Sequence, residues 1–133
     1  MAKKIKLKYF TDERGTLTVL DKEIKFKIKR AYFIHNAKGI RGKHRHKKNI
    51  QALISINGSC NVYVDNGKKK KTFILNKKNE CLLLEPKDWH YMKNFSRNCT
   101  LLVLCSMKYE KKDYIYPPYR NWNDKIWRFK KSK

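Results

Sequence analysis

Residues 41–46 read Arg41-Gly42-Lys43-His44-Arg45-His46, and the spacing of the two histidines sets how the rest of the chain is read. In an extended strand residues two apart face the same side, so both imidazoles point together and Arg45 points away. Outward from this segment the signals are those of strands and turns. Upstream, Ile5, Leu7 and Tyr9 alternate with lysines, as do Ile24, Phe26 and Ile28, the period-two pattern of a half-buried strand. Downstream, short apolar runs follow at Ile50 to Ile56, Val62 to Val64, Thr72 to Leu75, Cys81 to Leu84 and Thr100 to Cys105. Turn formers separate them: Asn57-Gly58, Asp65-Asn66-Gly67, Asn76 to Asn79 and Pro86-Lys87-Asp88. Short strands parted by turns argue for an all-β antiparallel sandwich or barrel.

With 133 residues, the chain has room for one core and one site, so residues 1–133 are expected to form a single domain. The segment 108–133 carries Tyr109, Tyr114, Tyr116, Tyr119, Trp122, Trp127 and Phe129, too many aromatics for a disordered appendage; it is expected to pack on the barrel or on a second subunit. No apolar run is long enough to span a bilayer, and the start, Met-Ala-Lys-Lys, does not read as a signal peptide. The expectation is a cytoplasmic protein with no membrane partner. Cys60, Cys81, Cys99 and Cys105 show no CxxC spacing and mostly sit in apolar runs, which fits reduced core residues and not a disulfide or zinc framework. The net charge of +23 invites a nucleic-acid reading. Yet it is mostly lysine spread along the chain, with one dense run, Lys68 to Lys71, beside a turn. That pattern is a solvated face that steers anionic small molecules, and no nucleic-acid partner is expected.

The histidine pair continues as H-x-H-x4-Q-x6-G through Gln51 and Gly58, and a second segment reads Glu85-Pro86-Lys87-Asp88-Trp89-His90 with Asn94 beyond it. This two-part pattern resembles the two cupin motifs, and the resemblance implies a jelly-roll, single-domain barrel. The departures are specific: Gln51 stands where the cupin glutamate would be, Lys87 replaces the turn glycine, and Glu85 takes the place of the expected proline. A metal cupin uses three histidines and a carboxylate, and a neutral amide in place of the carboxylate weakens the site for a divalent ion. No metal and no other cofactor are therefore expected.

At finer grain the chain resembles the dTDP-4-keto-6-deoxyhexose 3,4-ketoisomerases. The matching stretches are Asp12-Glu13-Arg14-Gly15-Thr16-Leu17, Arg30-Ala31-Tyr32-Phe33-Ile34, residues 41–48, Asn57-Gly58-Ser59-Cys60, Val64-Asp65-Asn66-Gly67, Trp89-His90, Leu101 to Ser106, and Tyr109 with Asp113-Tyr114-Ile115. The resemblance implies an isomerase whose substrate is a dTDP-linked 4-keto-6-deoxy sugar. The product is its 3-keto isomer, which feeds 3-amino sugars of surface glycans such as lipopolysaccharide. It places the proton shuttle at His44 with His46 as its support. Arg14 with His90 resembles the branch whose product has the galacto configuration.

Residue chemistry fits that reaction independently. Moving a carbonyl from C4 to C3 needs a base at C3, a stabilised enediol and a proton returned at C4, and histidine titrates near the working pH. Tyr32, Arg14 or the second histidine would donate to the developing oxyanion. Arg14 and Arg41 are the natural phosphate partners, because a guanidinium grips phosphate oxygens in a bidentate fork. The expected site is thus His44, His46 and Tyr32 for catalysis, with Arg14, Arg41 and His90 binding substrate. A homodimer is expected, because an N-terminal strand and an aromatic tail leave a strand edge and apolar surface to cover. Two alternatives stand beside this reading: a metal-dependent cupin enzyme using His44, His46 and His90, and a non-catalytic cupin that binds sugar or nucleic acid.

Overall fold

The apolar runs on either side of the histidine pair become strands in the computed structural model, which describes residues 1–116. In chain order they are β1 (Lys3–Lys6), β2 (Lys8–Asp12), β3 (Gly15–Val19), β4 (Arg30–His35), β5 (Arg41–His46), β6 (Gln51–Asn57), β7 (Cys60–Asp65), β8 (Lys70–Leu75), β9 (Glu80–Leu84), β10 (Trp89–Lys93), β11 (Thr100–Cys105) and β12 (Tyr114–Ile115). A single 3₁₀ turn, Lys111–Asp113, precedes β12.

One sheet has the order β1-β9-β6-β11-β4 and the other β12-β5-β10-β7-β8, with every pairing antiparallel. The strands β2 and β3 pair only with each other, as a separate hairpin. The all-β expectation holds, with one correction. The sheets remain two separate ladders, so the fold is a sandwich of the jelly-roll kind and not a ring of continuous hydrogen bonds.

The main core contains Leu53, Leu101 and Val103 of the first sheet with Val62, Val64, Leu75 and Met92 of the second. A smaller cluster gathers Leu7, Ala52, Ile54, Cys81 and Leu104, covered by Leu20, Ile24 and Phe26. Residues on both faces of β6 are therefore buried, which is why Ala52, Leu53 and Ile54 are consecutive apolar residues and not an alternation. Ile24, Phe26 and Ile28 do not form the strand their alternation predicts, since residues 20–29 form no ladder. Ile24 and Phe26 are partly buried as a cover on the smaller cluster, so the period reported burial without strand pairing. All four cysteines are free and buried.

The expected tail falls partly in view. Residues up to Tyr116 are described; Tyr119, Trp122, Trp127 and Phe129 lie outside the described residues. Among the described residues, no helix is long and apolar enough to cross a membrane.

Candidate active site

The strands β5 and β10 lie side by side in the second sheet, with His44 directly opposite His90. The register shifts at the next pair, where Tyr91 stands opposite Gly42, so β5 bulges at Gly42 and Lys43. Both carry positive φ, 98° and 60°, which glycine adopts freely and lysine adopts at a cost. A Cβ on Gly42 would sit 3.1 Å from the His90 carbonyl oxygen and 3.2 Å from the Tyr91 Cα. The glycine lets β10 approach β5 at the point where the bulge turns His44 and His46 to one side.

The result is a cluster of three imidazoles. The His44 ring centroid lies 5.1 Å from His46 and 5.1 Å from His90, nearly perpendicular to each, while His46 and His90 stack at 6.2 Å. Each Nδ1 faces an oxygen: the Gly42 carbonyl at 3.1 Å from His44, an Asp113 carboxylate oxygen at 2.9 Å from His46, and the Asp88 carbonyl at 3.0 Å from His90. The two carbonyls can only accept, so His44 and His90 carry their hydrogens on Nδ1; a charged Asp113 fixes His46 the same way. That leaves an Nε2 lone pair on each ring. The one on His46 is buried without a hydrogen bond, although Gln51 is close enough to favour the charged ring.

Burial sets the charge of the cluster. Loss of solvent, reinforced by His46, lowers the His44 pKa to about 4. The same cause, reinforced by His44, lowers that of His90 to about 3. Burial also lowers His46, although Asp113 opposes it. The cluster is therefore neutral near pH 7 and able to accept a proton.

Tyr32, on β4, accepts a hydrogen bond from Gln51 Nε2 at 3.2 Å, and burial followed by Cys105 lifts its pKa to about 12. Its phenol stays protonated and keeps its hydrogen to give away. Gln51 is buried, and its amide nitrogen is also 3.6 Å from Cys105 Sγ. Across the cluster, the Tyr114 ring stands 4.9 Å from His44 and 4.7 Å from His46. Arg30 donates to the Tyr114 hydroxyl at 3.4 Å and lies over the Tyr32 ring at 4.6 Å.

Four of the six expected residues thus belong to one neighbourhood: His44, His46, His90 and Tyr32. Arg41 lies exposed at the start of β5. Arg14 is not brought to the cluster by its own chain. It sits at the turn of the β2–β3 hairpin, exposed over 84% of its side chain and held to Asp12 at 2.6 Å. Arg30, Asp113 and Tyr114 stand in stretches that the sequence reading matched to the family, but it gave none of them a role in the site. Asp113 is anchored from several sides: besides His46 it accepts the Lys48 amide at 2.8 Å on its other carboxylate oxygen, and its carbonyl accepts the Lys47 amide at 2.9 Å. The available signal for Asp113 was an acid beside Tyr114 in a lysine-rich, tyrosine-containing tail. Among the described residues, no group of three or more His, Cys, Asp or Glu side chains is arranged to hold a metal ion.

Comparison with known proteins gives one consistent answer. The family described as FdtA, WxcM-like C-terminal, matches residues 1–126. A TDP-4-oxo-6-deoxy-alpha-D-glucose-3,4-oxoisomerase from Aneurinibacillus thermoaerophilus is 39% identical over 130 residues, covering 93% of this chain and 94% of that protein. A 3,4-ketoisomerase from Helicobacter canadensis superposes with a TM-score of 0.86 at 38% identity, over 92% of this chain and 98% of its own. WlaRA, a TDP-fucose-3,4-ketoisomerase from Campylobacter jejuni, superposes with a TM-score of 0.83 at 34% identity, over 95% and 98%.

Proposed function

The chain belongs to the FdtA, WxcM-like family and is a TDP-sugar 3,4-ketoisomerase, and we propose that it works without a metal, with His44 taking the proton from C3 of a dTDP-4-keto-6-deoxyglucose and, after exchange with solvent, returning a proton at C4. The observation that supports this most directly is the buried group of neutral imidazoles whose Nε2 lone pairs are left free by Nδ1 contacts. The protein is proposed to act in the cytoplasm, in the synthesis of sugars for surface glycans.

The steps follow from the groups present. His44 Nε2 takes the C3 proton, which the neighbouring ketone acidifies, and the electron pair moves into the C4 carbonyl oxygen. The resulting oxyanion is met by donors that already hold their protons, first among them the Tyr32 phenol. His44 is now an imidazolium, and the burial that lowers its pKa also drives the proton off again. Delivery of the imidazolium proton to C4, with the O3 proton passing to the O4 oxyanion, leaves a hydroxyl at C4 and a ketone at C3. His46, fixed by Asp113 at 2.9 Å, holds its ring against His44 and shares the polarisation.

The galacto configuration at C4 and the homodimer belong to the same reading. His90 lies in the cluster, as the galacto assignment requires. Arg14 meets a histidine cluster only if a second copy covers the hairpin, whose Tyr9, Phe10 and Leu17 are all more than half exposed. The test is to incubate the purified protein with dTDP-4-keto-6-deoxyglucose and follow the product by NMR. A 3-keto sugar with an axial C4 hydroxyl is expected. An equatorial hydroxyl would overturn the configuration, and unchanged substrate would overturn the function.

A further inference from the structure

We propose that Gln51 is a positioning residue for the reaction: its amide donates to the Tyr32 hydroxyl and so turns the phenol's own hydrogen towards a sugar oxygen beside the histidines. The inference rests on the ketoisomerase reading and deepens it, since it assigns how the oxyanion's donor is aimed.

The backbone places the two side chains together. Gln51 opens β6 with Cys105 of β11 opposite it on one side and Leu84 of β9 on the other, so two ladders fix the base of its side chain. Tyr32 on β4 stands opposite Val103, one row along the same β11. Val103 and Cys105 both belong to the main core, so alternation puts Gln51 and Tyr32 on that inner face with them. The amide reaches diagonally across β11 to the phenol, at 3.2 Å. The same side chain lies close enough to His46, on the other sheet, to favour its charged ring. A buried amide thus bridges the two sheets at the histidine cluster.

The hydrogens of that amide are committed. An NH2 group has two, and here one faces the Tyr32 oxygen at 3.2 Å and the other Cys105 Sγ at 3.6 Å. A phenol that accepts along one direction sends its own hydrogen along another. Among the described residues, Gln51 is the one hydrogen-bond partner of the Tyr32 hydroxyl, and no protein acceptor takes the phenol's hydrogen. That hydrogen is left for the substrate, while the Arg30 guanidinium, 4.6 Å over the ring, steadies the ring itself. Burial lifts the Tyr32 pKa to about 12, and the amide hydrogen bond works against that rise, which makes the phenol a better donor to developing charge.

The cupin motif that this chain resembles carries a glutamate at the position of Gln51. An ionised carboxylate only accepts, so it would take the phenol's hydrogen for itself and leave none for the substrate. Gln51 has nearly the same shape and the opposite hydrogen-bond sense towards Tyr32.

Steady-state kinetics of Gln51→Met and Gln51→Glu, each alone and combined with Tyr32→Phe, tests the assignment on the full chain. Gln51→Met keeps the bulk and buries no charge. It should lower kcat by about fivefold to tenfold with KM near the parent value. In the Tyr32→Phe background the same change should cost less than about twofold, because the group it positions is gone. Gln51→Glu should lose about a hundredfold at high pH. Its kcat relative to the parent should fall as pH rises from about 6 to 9, since a buried carboxyl donates to the phenol only while protonated. A melting temperature for Gln51→Met close to the parent's is expected and shows that it is folded; its cycle with Tyr32→Phe decides the matter even if Gln51→Glu does not fold. The proposal is overturned if Gln51→Met turns over like the parent, or if it costs the same factor with and without the Tyr32 hydroxyl, which would place its action at His46. It is equally overturned if a folded Gln51→Glu follows the parent's pH profile. A parent that leaves dTDP-4-keto-6-deoxyglucose unchanged contradicts the function itself.

Discussion

His44 and His46 project from the same strand, yet different neighbours hold them. His44 rests on a backbone carbonyl of its own bulge and is only partly buried, while His46 is fully buried and tied to the Asp113 carboxylate. The first is placed to meet a substrate and the second to stay still. His44→Asn should therefore reduce turnover by about a hundredfold or more with dTDP affinity within a fewfold, whereas His46→Asn should keep measurable turnover. Steady-state kinetics with calorimetry distinguishes these outcomes, and equal losses in the two variants would refute the division of labour. The same burial links the site to stability. His44 and His90 have folded-state values of about 4 and about 3, below the ordinary 6.5, so the unfolded chain binds more protons between these limits. Their contribution is fully present above pH 6.5 and is lost as pH falls through that window, at up to about 1.4 kcal/mol per pH unit for each histidine. Denaturant titrations at pH 7, 6 and 5 should show a falling midpoint. A midpoint independent of pH would contradict the buried neutral cluster.

Most strands were legible because apolar runs stood between turn-forming residues, and β6, β7, β9 and β11 fall within a residue or two of where those runs place them. The β10 strand was not, because Trp89-His90-Tyr91-Met92-Lys93 offers no clean run and reads as a motif. Residues 24–28 show the opposite error, a strand-like alternation on a covering segment. The histidines could be found because their partnership is local, two positions apart. Asp113 could not, because it meets His46 across 67 positions and through a 3₁₀ turn that no periodicity announces. The space left by the missing side chain of Gly42 faces the β10 backbone. Gly42→Ala should therefore lower stability by about 1–3 kcal/mol through positive φ and crowding, read as a lower melting temperature. An alanine variant as stable as the parent would mean the bulge is not required.

As a whole, the molecule gathers its histidines on β5 and β10 of the second sheet and leaves apolar side chains exposed on a hairpin elsewhere. Tyr9, Phe10 and Leu17 together make a surface that a second copy would cover. Sedimentation at micromolar concentration should give the mass of two chains, and charged substitutions at Phe10 and Leu17 should shift it to one; a single-chain mass for the parent would refute the homodimer. The central claim, metal-free proton transfer through a histidine that exchanges with solvent, is tested most directly in heavy water. The protein, stripped with EDTA, is incubated with dTDP-4-keto-6-deoxyglucose and the product is examined for deuterium. The account predicts a 3-keto product carrying solvent deuterium at C4, with label and product both lost in His44→Asn. Product without deuterium, or turnover that returns only when one particular divalent ion is restored, would contradict it.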